Sequence, residues 1–87
     1  MTRYYIYVLL STKGGKFYIG FTKELRQRLT EHALGKAHST RGRRYLRLIH
    51  YEYFINKKDA KARETYLKSG AGHDQIRSFL KNTLNEN

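Results

Sequence analysis

Residues 4–22 read YYIYVLLSTKGGKFYIGFT, and this stretch decides the fold. Two apolar, aromatic-rich runs of strand length flank the segment Ser-Thr-Lys-Gly-Gly, which is typical of a β-hairpin. Pairing Leu10 with Gly15 leaves a turn of residues 11–14 and makes Tyr7 and Tyr18 cross-strand neighbours on one face. Taken alone, the two tyrosines are better interpreted as ordinary strand residues than as site residues, because tyrosine favours strands. The other face is predicted to supply much of the core: Tyr4, Ile6, Val8, Phe17, Ile19 and Phe21.

The composition bounds the class of protein. A chain of 87 residues suffices for one small domain, so residues 1–87 are predicted to form a single unit. With no cysteine, the fold must depend on a packed core and not on disulfides or a Cys-ligated zinc. No apolar run approaches the roughly 20 residues of a membrane span, and no signal-peptide segment precedes the first strand. A cytoplasmic location is therefore expected.

The charge balance indicates a polyanionic partner. Eighteen Lys and Arg residues against seven Asp and Glu give a formal net charge of +11. A small domain with this excess is typical of nucleic-acid binding. An acidic membrane surface is the competing partner, and it is disfavoured because the basic residues are not gathered on one long amphipathic helix.

The rest of the chain predicts an α/β fold of the α+β type, with a three-stranded, mainly antiparallel sheet and element order β-β-α-β-α-α. The predicted elements after the hairpin are a helix over 23–34, a strand over 46–55, a helix over 57–69 and a helix over 75–84. Thr22 and Asn56 are the predicted N-caps of the first two helices. Gly35 and Gly70 are predicted to end them.

The first helix places two candidate site residues at the edge of its apolar stripe. That stripe, Leu25, Leu29 and Ala33, recurs at helical spacing and should face the sheet. Arg28 and His32 lie one turn apart beside it. Each has a plain alternative role: Arg28 as an arginine whose stem covers the core, and His32 as a partner of the helix dipole.

The other polar candidates lie on a loop, the third strand and the second helix. Strand alternation groups Leu48, His50, Glu52 and Phe54 on one face. Glu64 falls on the same side of the second helix as Ala60 and Leu67, so a carboxylate is held near the core. Its alternative role is a surface ion pair with Lys61 or Lys68. The basic, glycine-bearing loop over 35–47 contains no acidic residue and is predicted to contact phosphates through Lys36, His38, Thr40, Arg41, Arg43 and Arg44.

The ordered set of motifs resembles the GIY-YIG nuclease superfamily. It comprises Tyr5-Ile6-Tyr7, ten intervening residues, Tyr18-Ile19-Gly20, then Arg28, His32 and Glu64. Tyr5 replaces the first glycine of the family pattern, and Asn82 is the nearest match to a late supporting asparagine. The resemblance covers about residues 4–82. Within the superfamily, the chain is similar to the N-terminal nuclease domain of the bacterial excision-repair incision subunit.

The resemblance implies metal-dependent hydrolysis of DNA phosphodiester bonds that leaves a 5′-phosphate and a 3′-hydroxyl. Glu64 would hold a single Mg²⁺ or Mn²⁺ ion, and Arg28 would clamp a phosphate oxygen. Tyr7 is the first choice for the general base and Tyr18 would orient water or phosphate. Positive charge from Arg28, the metal and a protonated His32 is expected to favour the Tyr7 phenolate.

Two functions remain open at this stage. One is a structure-selective or weakly specific DNA endonuclease in repair or recombination, and the other is a non-catalytic DNA- or RNA-binding module on the same scaffold. Because 87 residues leave no room for a separate DNA-reading domain, targeting is expected from a protein partner or a homo-oligomer.

Overall fold

A computed structural model describes residues 1–33 and 45–86. The elements follow the order β1 (Tyr4–Ser11), β2 (Phe17–Thr22), α1 (Leu25–Ala33), β3 (Leu46–Phe54), α2 (Lys57–Lys68), α3 (Gly70–Phe79) and α4 (Lys81–Asn85). The strands form one antiparallel sheet with β1 in the centre, in the order β2-β1-β3. The predicted α+β architecture is confirmed. Of the described helices, none is long and apolar enough to cross a membrane.

The core lies between one face of the sheet and the helices α2 and α3. Ile6 and Val8 of the central strand are fully buried, as are Leu67 of α2 and Ile76 of α3. The predicted hairpin face is confirmed, because its six residues all belong to this cluster or pack against it. The opposite face carries Tyr7, which is also buried, and α1 contacts the sheet there.

The register of the hairpin differs from the prediction. Leu10 pairs with Phe17 instead of Gly15, and Tyr7 pairs with Gly20 while Tyr18 pairs with Leu9. The connection is longer because Gly14 and Gly15 adopt positive φ angles of 121° and 74°. The two-residue shift preserves the faces, so the phenols are diagonal neighbours and not a direct pair.

A bulge in β3 breaks the predicted alternation of that strand. Val8 pairs with His50, but the next residue of β1, Leu9, pairs with Leu48. Residues directly opposite each other share a face, so Leu48 lies on the side of α1 and not with His50 and Glu52. Ile49, the additional residue, packs against the core.

The helix boundaries also correct the sequence interpretation. The predicted Asn56 cap is confirmed, since its side chain accepts a hydrogen bond from the Lys58 backbone N–H. Gly70, by contrast, begins α3 and does not simply end α2. Ser69 makes this tight junction possible, because its backbone N–H bonds to the Tyr66 carbonyl and its Oγ accepts from the Gly72 N–H. A further break at Leu80 separates α3 from the short α4.

Thr22 is not the N-cap of α1 as predicted, because that helix begins two residues later than the predicted start. Its Oγ1 accepts a hydrogen bond from the Glu24 N–H at 3.0 Å, and the first intrahelical bond runs from the Arg28 N–H to the Glu24 carbonyl. The helix therefore begins at Leu25. The predicted helix end at Gly35 lies outside the described residues.

Candidate active site

A cleft of about 690 Å³ runs beside the edge strand β2 and gathers the five predicted catalytic residues. Its polar lining comprises Tyr7, Lys16, Tyr18, Arg28, His32, Glu64, Lys68 and His73. The strands supply the tyrosines, α1 supplies the arginine and His32, and α2 supplies the glutamate. Elements far apart in the sequence thus meet beside β2, because α2 contacts this edge strand and α1 lies on the face of the sheet that carries Tyr7.

Tyr7 and His32 form a hydrogen-bonded pair in this cleft. The Tyr7 hydroxyl lies 2.8 Å from Nε2 of His32, and both side chains are buried. His32 is the buried residue of α1, whereas Ala33 of the predicted core stripe is exposed. The histidine is therefore the part of the helix that docks on the sheet at Tyr7.

Burial controls the protonation of this pair. It lowers the pKa of His32 from its ordinary value, and the nearby Arg28 lowers it further. The expected protonated His32 is wrong for this reason, and the neutral ring can accept the Tyr7 proton at Nε2. Burial also raises the pKa of Tyr7 above its ordinary value, and the opposing effect of Arg28 is smaller. Tyr7 therefore holds its proton, and its hydroxyl can donate to Nε2 when the neutral His32 ring carries its own proton on Nδ1.

Gly20 provides the space that the Tyr7 ring occupies. It is the cross-strand partner of Tyr7, and a Cβ atom placed on it would overlap the Tyr7 ring atoms Cζ and the hydroxyl oxygen. Steric overlap thus explains why the predicted motif has a glycine at this second position, independently of backbone conformation. It lets the ring lie across β2 toward the cleft.

Tyr18 and Arg28 supply polar groups that are only partly satisfied. The Tyr18 hydroxyl is buried and has no hydrogen-bond partner within the described residues. Arg28 pairs with Glu31 at 3.2 Å on the same helix, but its side chain is 43% exposed. An exposed pair of this kind contributes little stability, so the guanidinium can exchange Glu31 for a phosphate.

Glu64 presents one carboxylate at the cleft. Its side chain is only 14% exposed, and its oxygens lie 2.9 Å from Lys68 Nζ and 3.4 Å from Lys61 Nζ. The alternative surface pairs predicted for this residue both exist. Within residues 1–33 and 45–86, no group of three or more His, Asp or Glu side chains is arranged to hold a metal ion. One carboxylate still fits Mg²⁺, which is commonly bound by one or two carboxylates, water and substrate phosphate.

Three lining residues were missed by the sequence interpretation. Lys16, Lys68 and His73 join Arg28 to make the cleft predominantly basic. Strand alternation could have placed Lys16, because it lies two residues before Tyr18. Lys68 had been considered only as an ion-pair partner. His73 had no signal, because its position depends on α3 beginning at Gly70.

The predicted phosphate-contacting loop is not placed here. Lys36, His38, Thr40, Arg41, Arg43 and Arg44 lie outside the described residues. Asn82 is on α4 and exposed.

Comparison with known proteins identifies the fold family. The model of the GIY-YIG catalytic domain matches residues 3–74, which include both tyrosine triplets and all five candidate catalytic residues. The chain belongs to the GIY-YIG family. The resemblance inferred from the spacing of the motifs is thus confirmed.

Relatives of this GIY-YIG domain include UPF0213 proteins. One from Clostridium perfringens is 32% identical over 94% of this chain and 88% of its own length. One from Lacticaseibacillus paracasei is 39% identical over 80% of this chain and 79% of its own length. The solution NMR structure of a UPF0213 protein from Bacillus halodurans is 34% identical and superposes with a TM-score of 0.57. That match covers 88% of this chain and 84% of the other.

Proposed function

We propose that residues 1–87 form one metal-dependent endonuclease domain that hydrolyses DNA phosphodiester bonds. The main support is the convergence of the hydrogen-bonded Tyr7–His32 pair, Arg28 and Glu64 on one basic cleft in a GIY-YIG domain. Phosphodiester hydrolysis needs an activated water, positive charge at the phosphoryl oxygens and help for the leaving oxygen. The cleft offers a group for each requirement.

Tyr7 and His32 together would move the proton. As a water molecule attacks phosphorus, its proton passes to the Tyr7 oxygen, and the Tyr7 proton passes to Nε2 of His32. This relay avoids a free phenolate, which the raised pKa of Tyr7 disfavours. The lowered pKa of His32 keeps the acceptor nitrogen unprotonated at neutral pH before the reaction.

Arg28, Tyr18 and Glu64 would act on the phosphate. The guanidinium of Arg28 would bind a non-bridging oxygen, and the unpartnered Tyr18 hydroxyl would donate to water or phosphate. Glu64 would hold one Mg²⁺ or Mn²⁺ ion, which supplies Lewis-acid stabilisation of developing negative charge when bound. Lys61 and Lys68 neutralise the carboxylate until then.

The proposal extends to structure-selective or weakly specific cutting in DNA repair or recombination, in the cytoplasm. Support for this part comes from the family resemblance. A protein partner or a second copy would then supply targeting.

A cleavage panel tests the function. Branched, flapped, single-stranded and duplex DNA, with matching RNA, are incubated with the protein and Mg²⁺ or Mn²⁺. We expect metal-dependent nicking of at least one DNA, and loss of about 10- to 150-fold in Arg28→Ala because a charged hydrogen bond contributes about 1.5–3 kcal/mol. No cleavage of any substrate by the purified protein would contradict the proposal.

A second function, nucleic-acid binding without cleavage, is favoured by the two lysines that already satisfy Glu64. It predicts salt-sensitive binding that is unchanged by removal of the Glu64 carboxylate. The same panel, run for binding in EDTA and for cleavage in Mg²⁺ or Mn²⁺, separates the two functions. Binding without cleavage at any metal concentration would favour the module.

A further inference from the structure

Three tyrosines form an exposed aromatic cluster on the α1 face of the sheet. Tyr5 pairs with Tyr53 across β1 and β3, and Tyr51 is its diagonal neighbour. The ring centroid of Tyr5 lies 5.8 Å from that of Tyr53 and 6.1 Å from that of Tyr51. Tyr51 and Tyr53 are 52% and 49% exposed. These three residues are called the tyrosine cluster below.

A cation accompanies the tyrosine cluster. The Arg3 guanidinium carbon lies 5.2 Å from the ring centroid of Tyr53. Cross-strand tyrosines stabilise a sheet by a few tenths of a kcal/mol, which explains the pairing but not half-exposed rings beside an arginine. Aromatic faces combined with positive charge are the usual means by which proteins bind unpaired bases and their phosphates.

Between the tyrosine cluster and the cleft lie two hollows around the start of α1, and each is lined by two cations. Arg28 lines both the cleft and a second hollow that contains Lys23. Lys23 also lines a third hollow, together with Arg3 and Tyr5. Glu24 borders the second and third hollows and Glu31 borders the second, so the path carries both signs of charge. Cations therefore occur at each step between the cleft and the exposed rings.

A second copy of the chain is a poorer occupant of this surface. Each copy carries a formal charge of +11, and pairing the clusters would bring arginines at the edge of the aromatic surface near each other. A polyanion with flat apolar bases matches both the charge and the rings.

We propose that the tyrosine cluster is a stacking platform for unpaired bases, reached by a single strand that leaves the cleft past Lys23. The substrate class is then nucleic acid with a single-stranded segment next to the cleaved bond. The position of the cut relative to that segment rests on the proposed nuclease function. Binding of the strand by the tyrosine cluster does not.

Binding in EDTA tests this without any cleavage. Fluorescence anisotropy gives the Kd of a labelled oligo(dT) of about 15 nucleotides and of a blunt duplex of equal length. We expect Tyr53→Leu to weaken oligo(dT) binding about tenfold, because a stacked base contributes enough for a five- to hundredfold effect. Duplex binding should change less than about twofold, since its bases are not available to stack.

Two variants control the experiment. Tyr53→Phe keeps an aromatic face and should bind oligo(dT) like the unaltered protein. Tyr66→Leu removes a tyrosine on α2 that is 40% exposed, against 49% for Tyr53, and that has Arg63 5.8 Å from its ring. This variant should also leave oligo(dT) binding unchanged. Retained duplex binding shows that Tyr53→Leu is folded.

Three results would overturn the platform. They are unchanged oligo(dT) binding in Tyr53→Leu, an equal loss for oligo(dT) and duplex, or a dimer that Tyr53→Leu dissociates while oligo(dT) binding persists. Failure of the nuclease is recognised separately, as absence of cleavage in Mg²⁺ by protein whose oligo(dT) binding still depends on Tyr53.

Discussion

The Tyr7 hydroxyl lies 2.8 Å from Nε2 of His32, across 25 positions of sequence. This bond joins the central strand to the first helix inside the cleft. Burial raises the pKa of the Tyr7 phenol and lowers the pKa of the His32 imidazole, so the phenol can donate and the imidazole can accept. The proposed proton relay therefore depends on the packing of α1 against the sheet.

Loss of the Tyr7 hydroxyl should remove most of the activity. Tyr7→Phe keeps the ring over Gly20 but deletes the group that accepts the proton of water, and general-base loss costs about 10²- to 10⁴-fold in rate. The rate of DNA cleavage under single-turnover conditions measures this loss. Cleavage by Tyr7→Phe at the unaltered rate would exclude Tyr7 as the base.

Gly20→Ala should damage the site through sterics alone. The added methyl group overlaps the Tyr7 ring, so the ring must move and its bond to His32 is lost. We expect destabilisation of about 1–3 kcal/mol in urea and a large loss of cleavage. Gly70→Ala is the matched control, because a Cβ there meets nothing within 4 Å. Equal behaviour of the two variants would contradict the close packing of Tyr7 on Gly20.

Tyr18→Phe should separate stability from activity. The buried hydroxyl lacks a partner within the described residues, so its removal should raise the free energy of unfolding by about 1 kcal/mol. Cleavage should nevertheless fall, since the hydroxyl is proposed to contact water or phosphate. Urea denaturation and cleavage are measured on the same preparation. A less stable Tyr18→Phe would show that the hydroxyl has a structural partner.

The His32 imidazole should make the protein less stable in mild acid. Burial lowers its folded-state pKa below the unfolded value of about 6.5, so the unfolded chain binds the proton more readily. Stability is therefore intact above that value and is lost as the pH falls from it through the folded-state pKa. Urea denaturation across this range should show the loss in the unaltered protein and a smaller one in His32→Gln. An equal dependence of the free energy of unfolding on pH in both proteins would show that the titrating group is not His32.

Titration of Glu52 should produce a second loss of folding stability, at lower pH. Burial alone would raise its pKa, but hydrogen bonds from Arg63, at 2.6 Å, and His50, at 2.7 Å, outweigh it and lower the pKa. The contribution of the Glu52 carboxylate to folding stability is complete above its unfolded-state pKa of about 4.3. It is lost as the pH falls through the folded-state pKa. Glu52→Gln should destabilise the fold by about 1–3 kcal/mol at neutral pH and flatten this acid limb. The midpoint of urea denaturation of Glu52→Gln measures this effect. An unchanged midpoint would contradict a stabilising link between β3 and α2 through Glu52 and Arg63.

The sequence predicted the sheet and the members of the site because local patterns fix them. Alternation assigned Tyr7 and Tyr18 to one face, and that assignment survived a two-residue error in register, since an even shift preserves faces. Helical spacing placed Arg28 and His32 together. The residue types and their order were enough to identify the family.

Other features depend on tertiary packing and could not be predicted. The bulge at Ile49 and the start of α3 at Gly70 arise where the sheet and the helices must fit one core. The neutral state of His32 required knowledge of its burial, because on an exposed helix end the same residue would have gained charge from the dipole. None of these three features has a signal in the local sequence.

The rate of DNA cleavage in Mg²⁺ by Glu64→Gln, measured beside the unaltered protein, tests the central claim most directly. The matched control is Asp74→Asn, which removes an exposed helical carboxylate that pairs with Arg77 and does not line the cleft. We predict loss of about 100-fold or more in Glu64→Gln, because a metal ion supplies several kcal/mol of charge stabilisation, and an unchanged rate in Asp74→Asn. The products should carry 5′-phosphate ends. Cleavage by folded Glu64→Gln at the unaltered rate would contradict the account.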